Sequence, residues 1–424
     1  MNPRREFLRR AAIGAALVGL PLARAEQAFA QDPPLPPLSL LERDAERFWA
    51  ALRGQWLLAR DRINLNCGSV GCSPLPVVRA MVDHIFEGES FRDPAYPWFG
   101  YEENARLKAL REKLAAFISC SRDELALVRN ATEANNVVAN GLDMQPGEEV
   151  LMTDQEHPGG RCVWEQKAAR HGTAVRFVEV PRPPASAGEI VERFERAIGP
   201  KTRVLMFSHI TTVTGVVLPA RELCAMARRR GILTHVDGAH CIGQLPLDLH
   251  AMGCDFYAAS PHKWLMAPKG TGFLYVREEH LEKLWVNIAS GDWRNFDLKA
   301  YRFSNFGTSN LSVMVGLAAA LDFFDELGPA RIYARQHELA TRVRDRVRRY
   351  PQLRVANASA DEFYGGMVSF EPAAAGDLSA VVRECAARGI RIAGGPERIR
   401  ISTNIFTQPW ELDAFFEALD AGLT

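Results

Sequence analysis

A chain of 424 residues can hold one large domain and a smaller partner. Its 47% hydrophobic and 24% charged residues are those of an ordinary globular protein able to bury a sizeable core. Lys and Arg number 51, and so do Asp and Glu, which argues against a nucleic-acid or acidic-membrane partner, because either needs a basic excess.

Residues 1–30 read as an address rather than as fold. Arg4-Arg5-Glu6-Phe7-Leu8-Arg9-Arg10 leads into an apolar run from Ala11 to Leu22, and small residues then alternate at Ala23-Arg24-Ala25 and Ala28-Phe29-Ala30. A charged region, an apolar region and a cleavage site in that order make a signal peptide. The adjacent arginines before Phe-Leu resemble a twin-arginine signal, so cleavage after Ala30 and export to the periplasm by that translocon are expected. That route carries folded proteins, which suits one that collects a cofactor before leaving. The eight cysteines include no CxxC pair, and no zinc or redox motif is visible. Whether Cys67 and Cys72 bond is left open.

Residues 31–75 form a Pro-rich linker and an N-terminal segment, with a helix pattern around Leu40–Leu58 and a Gly-containing loop after Ile63. Helices are expected at Pro76–Phe86 and Glu102–Ile118, where Leu107, Leu110, Leu114 and Phe117 keep helical spacing. From Leu125 strands and helices alternate. The strand candidates are Ala126–Arg129, Glu149–Thr153, Ala174–Val180, Val204–Ser208, Leu233–Asp237, Phe256–Ala259 and Gly272–Val276. Most are continuous apolar runs, as expected of strands buried on both faces. The alternation predicts an α/β large domain over 76–310, with a mostly parallel seven-stranded sheet and crossover helices. Residues 311–424, two long helical stretches followed by mixed strands and helices, predict a smaller α+β C-terminal domain. There is no GxGxxG, so a dinucleotide site has no support.

Parallel sheets bind ligands beyond the carboxyl ends of their strands, so chemistry should gather there. One strand ends in Ser260-Pro261-His262-Lys263, where Lys263 is either a surface charge or a nucleophilic amine over a phosphate-bearing ring. Another ends in Asp237-Gly238-Ala239-His240; a carboxylate there suits a ring nitrogen that keeps its proton, or else is satisfied by loop amides. His157 stands before a helix, as a stacking imidazole or an ordinary loop histidine. Ala131 and Thr132 open a helix whose free N–H groups make an anion pocket, a use compatible with Thr132 being a plain N-cap. Thr212 lies in a polar turn at a fourth strand end, and Gly307-Thr308 in a polar loop. Arg400, in a C-terminal strand, suits bidentate binding of a carboxylate unless it is a surface arginine.

Together these residues resemble the class V aminotransferase group of fold-type I pyridoxal-phosphate enzymes, from about Asn64 to the C-terminus. The resemblance implies that Lys263, in its Ser-x-His-Lys context, carries the cofactor as a Schiff base, with Ser260 and His262 on its phosphate. It implies the Ala131-Thr132-Glu133-Ala134-Asn135 phosphate loop, a stacking role for His157, Asp237 on the ring nitrogen and Arg400 on the substrate carboxylate. It implies too that Gly307 and Thr308 reach the phosphate of a neighbouring subunit, making a homodimer with shared sites. Two positions depart from the group's pattern: Thr212 stands where many members have Asn, and His240 where many have Gln. No cysteine lies in Gly389–Glu397, which argues against persulfide chemistry. The Asp-Gly-Ala-His form and the opening Asn66-Cys67-Gly68-Ser69, with Asn66 expected near the substrate, are closer to the isopenicillin-N-epimerase-like branch. An exported member also resembles periplasmic enzymes that tailor siderophores such as pyoverdine at a peptide-linked glutamate.

The function expected is therefore Cα chemistry on an amino acid or peptidyl amino acid, with transamination first, racemisation second and β-elimination (C–S lyase) third. A pyridoxal-phosphate-binding protein without turnover is the alternative from another class.

Overall fold

The computed structural model describes residues 33–90, 104–357 and 360–424. The expected export signal over 1–30, and Glu102 as a helix start, lie outside the described residues.

The N-terminal segment forms helices Leu38–Arg43 and Ala45–Leu52 and a short strand β1 (Ile63–Asn64). The large sheet holds β2 (Leu125–Val128), β3 (Glu149–Thr153), β4 (Ala174–Val178), β5 (Thr202–Ser208), β6 (Leu233–Asp237), β7 (Phe256–Ala259) and β8 (Gly272–Val276). Their order is β2-β8-β7-β6-β5-β3-β4, and β8 alone runs against the rest. The expectation of a mostly parallel seven-stranded sheet is therefore met. Alternate residues of one strand enter different cores: Leu125 and Leu127 on one face, Ala126 and Val128 on the other. β5 repeats this with Leu205 and Phe207 against Val204 and Met206. Period-two alternation between two apolar layers is what makes these strands read as unbroken apolar runs. Each fully buried Leu or Phe contributes about 1.5–3 kcal/mol to the fold.

The C-terminal part forms β9 (Leu353–Val355), β10 (Met367–Pro372), β11 (Ile390–Arg391), β12 (Ala393–Gly395) and β13 (Arg398–Ser402). Four of these make an antiparallel sheet in the order β12-β13-β10-β9, and β11 pairs with β1. Its core joins Leu339, Val343, Phe370, Ile399 and Phe415 with Leu65 of the N-terminal segment. The helix Leu311–Leu327, expected to open the small domain, instead packs Leu317, Leu321 and Phe324 into the first core. The change of core falls inside the helix Pro329–Val347, with Ile332 in one and Leu339 in the other. Leu311–Leu327 is apolar enough to bury most of its circumference, and the helices Leu75–Glu89 and Ala105–Phe117 receive it.

Candidate active site

The carboxyl ends of β2, β3, β5, β6 and β7 meet the strand β13 around a cavity of about 450 Å³, a volume in the range of small-molecule sites. Lys263 lines it. The turn after β7 folds the lysine back, with its N–H on the Ser260 carbonyl at 3.2 Å. Gly71 of the N-terminal segment locks that turn from outside, donating to the His262 carbonyl at 3.0 Å. A Cβ on Gly71 would lie 2.0 Å from the Lys263 carbonyl oxygen, so only glycine allows this approach.

Lys263 is 8% exposed, and burial pulls the pKa of its amine down to about 8, with Asp237 opposing and the Arg400 charge assisting. The amine lies 3.2 Å from His240 Nε2. On the far side of that ring, Trp264 Nε1–H donates to His240 Nδ1 at 3.3 Å. Burial, then the charges of Lys263 and Arg400, hold His240 well below the usual histidine range. A neutral imidazole that accepts at Nδ1 carries its proton on Nε2. That proton can go to Thr212 Oγ1 at 2.9 Å, and to Lys263 Nζ only when the amine is neutral.

Asp237 closes β6. Asn135 Nδ2 donates to its Oδ2 at 2.8 Å and the Ala239 N–H to its Oδ1 at 2.9 Å. Each oxygen keeps acceptor capacity toward the cavity. Gly160 lets a helix pass close by, since a Cβ there would meet Met206 Cε at 2.7 Å and Asp237 Oδ2 at 3.1 Å. His157 caps that helix (Pro158–His171): its Nδ1 accepts from the Gly159 N–H at 2.9 Å, which fixes the ring while leaving it exposed to the cavity. Beneath it Glu156 is buried, bound to Thr153 and to both the hydroxyl and N–H of Ser208. Burial pushes Glu156 up to about 7, although those hydrogen bonds pull the other way.

The anion corner lies where the helix Ala131–Gly141 begins. Its N-cap is Asn130, whose Oδ1 accepts from the Glu133 N–H at 2.9 Å, so Thr132 is not the cap and its hydroxyl stays free and exposed. The Ala131 N–H donates to Ser260 Oγ at 3.0 Å, leaving the serine proton for another acceptor. His262 turns Nδ1 to the Thr271 carbonyl at 3.4 Å, and burial pulls its pKa down to about 4. Two hydroxyls and a helix N-terminus suit a phosphate.

Across the cavity, Arg400 Nη1 donates to the Thr212 carbonyl at 2.7 Å, and Nη2 to Ser69 Oγ at 3.1 Å and Asn66 Oδ1 at 3.3 Å. Its buried Nε has no hydrogen-bond partner, and among the described residues no carboxylate pairs with it within 4.0 Å. Burial lowers its pKa to about 10.

The structure thus brings Ala131, Thr132, His157, Thr212, Asp237, His240, Ser260, His262, Lys263 and Arg400 to one cavity. Asn66 stands behind it, 8% exposed, and steadies Arg400 and Ser69 from there. Gly307 and Thr308 are exposed and do not line the cavity of their own chain. Five further residues support the site without a motif that singles them out: Asn135, Glu156, Ser69, Trp264 and Arg398. Asn135 ends the loop motif already noted, Glu156 and Trp264 adjoin site residues, and Arg398 lies two residues from Arg400 on the same face of a strand.

Comparison with known proteins fits this geometry. Residues 73–411 match the aminotransferase class-V family. The chain belongs to that family. It is 36% identical to isopenicillin N epimerase of Streptomyces clavuligerus over 394 residues, covering 88% of this chain and 98% of that protein. The enzyme of the same name from Amycolatopsis lactamdurans is 34% identical over 392 residues, with the same coverage. A cysteine desulfurase of Haloferax volcanii is 28% identical over 85% of this chain and 89% of its own length. Among solved structures, a lysine mutant of C-DES with glycine covalently linked to its PLP cofactor superposes with a TM-score of 0.75 at 25% identity, covering 87% of this chain and 98% of that one. The chain is thus a pyridoxal-phosphate-dependent class V enzyme of the epimerase-like branch, with the fold-type I architecture. The residues present fit that cofactor: one amine, one acid with spare acceptor sites, an exposed flat imidazole and a helix start with free hydroxyls surround a single cavity.

Proposed function

We propose that this enzyme mobilises the Cα proton of an amino acid or a peptide-linked amino acid. Pyridoxal phosphate supplies an electron sink for the carbanion. In this reading Thr132, Ser260, His262 and the N–H groups at the helix start hold the phosphate, and His157 covers one ring face. Asp237 keeps the ring nitrogen protonated. Arg400 orients the substrate carboxylate, and Lys263 Nζ takes the Cα proton. The observation that carries the reading is one cavity lined by a buried amine of lowered pKa, a carboxylate and a guanidinium without a carboxylate partner.

Inversion at Cα is the outcome favoured by the two full-length epimerase relatives. Transamination is the second reading, favoured by the family match itself. A persulfide route is disfavoured, because no cysteine lines the cavity among the described residues and Cys385 is buried in a helix. Gly307 and Thr308, exposed and away from their own cavity, complete the phosphate corner of a partner subunit in a homodimer. The N-terminal arginine motif favours export of the folded, loaded enzyme by the twin-arginine translocon to the periplasm. There a peptide-linked glutamate, as in a siderophore such as pyoverdine, is a candidate substrate.

The test is deuterium exchange at Cα, followed by proton NMR, over a panel of amino acids and short peptides. Loss of the Cα signal with both configurations in the product supports inversion, and keto-acid formation supports transamination. No exchange with any compound would reduce the protein to a cofactor binder.

A further inference from the structure

The cavity holds a second guanidinium. Arg398 lines it alongside Arg400, together with Ala393 and Gly394 of the neighbouring strand β12. The two arginines are two positions apart on β13, so they project from one face, roughly 7 Å apart along the strand.

Arg398 is not occupied by the protein's own acids. Among the described residues no carboxylate lies within 4.0 Å of it, although Glu371 and Glu397 are close enough to act on it electrostatically. Glu371 is engaged by Arg354, and Glu397 is exposed. The nearby Arg182 is held by Asp154 at 3.0 Å and adds positive charge. Of the charged side chains lining the cavity, three are cationic (Lys263, Arg398 and Arg400) and one is anionic (Asp237). The phosphate corner at the start of helix Ala131–Gly141 is built without any of these arginines, so the paired guanidinium groups remain for the substrate.

We propose that Arg398 is a specificity-determining residue, and that the substrate is an amino acid carrying a second carboxylate, the first being held by Arg400 and the second by Arg398. The spacing suits carboxylates separated by about three or four carbons. This rests on the reading of the cavity as a Cα-chemistry site, and it adds a substrate class to that reading. Substrates with one carboxylate leave Arg398 to water and forgo a charge-assisted hydrogen bond.

The test uses the cofactor-loaded enzyme and amine-free probes, so that no Cα chemistry is needed. Isothermal titration with glutarate, adipate and butyrate at fixed ionic strength should show at least one dicarboxylate binding about tenfold or more tightly than butyrate. Arg398→Gln should abolish that preference and leave butyrate binding unchanged, Arg398→Lys should retain part of it, and Arg400→Gln should weaken all three. Equal binding of mono- and dicarboxylates by the wild type, or a preference that survives Arg398→Gln, overturns the proposal. A clear preference in an enzyme that exchanges no Cα proton would instead count against the functional reading, so the two failures are distinguishable.

Discussion

At pH 7 a lysine of ordinary pKa 10.5 is about 0.03% neutral, whereas one held at about 8 is about 9% neutral. Burial in the cavity therefore raises the reactive fraction of Lys263 by roughly 300-fold. The perturbation is pH, applied to cofactor-free protein. The initial rate of pyridoxal-phosphate capture, quenched with borohydride and read on the Lys263 peptide, should rise about tenfold per pH unit and level off near 8. An α-acetylated lysine measured in parallel removes the contribution of the reagent's own ionisation. The neighbours set the direction of two further shifts. Arg400→Gln removes a charge that depresses the amine, so the midpoint should rise; Asp237→Asn removes one that supports its protonated form, so it should fall. A rate still climbing at pH 10 in the wild type would refute the reasoning, as would midpoints unmoved by both substitutions.

Glu156 gives a stability prediction. Its folded pKa of about 7 lies above its ordinary 4.5, so the folded state holds the proton to higher pH than the unfolded chain. The stability associated with that proton is fully present below about 4.5 and is lost as pH rises through 7, up to about 3 kcal/mol in all. Glu156→Gln should therefore lose less stability than wild type between pH 5 and 8.5 in urea denaturation of cofactor-free protein; equal losses would contradict the burial argument. The tautomer of His240 gives another. In Trp264→Phe its Nδ1 loses the indole donor, and long-range nitrogen-15 correlation spectra of histidine-labelled protein should change from a single Nε2–H form to a tautomer mixture. An unchanged spectrum would remove Trp264 from the site.

The sheet was legible because its strands carry two apolar faces and its turns are short, so β3, β6, β7 and β8 match their expected spans. The site was legible where chemistry gathers at strand ends: Asp237 closes one, and Lys263, His157 and Thr132 each follow shortly after one. The domain division was not, because the apolar helix Leu311–Leu327 can serve either core and only tertiary packing decides. Asn66 was expected near the substrate only through the resemblance; its side-chain oxygen accepts from Arg400 and Ser69, a pairing set by tertiary contact. Trp264 and Glu156 stayed hidden for a similar reason. Each acts through a neighbour, the first on His240 and the second beneath His157 from Ser208 and Thr153, and such contacts depend on which strand ends are adjacent.

The central claim is that Lys263 is the residue that takes the cofactor. Borohydride reduction of the loaded enzyme, followed by peptide mass spectrometry, should find one phosphopyridoxyl adduct, on the peptide containing Lys263, and Lys263→Ala should remove it together with the yellow colour. An adduct on a different lysine, or a wild-type protein that stays colourless and unmodified with cofactor in excess, would contradict it.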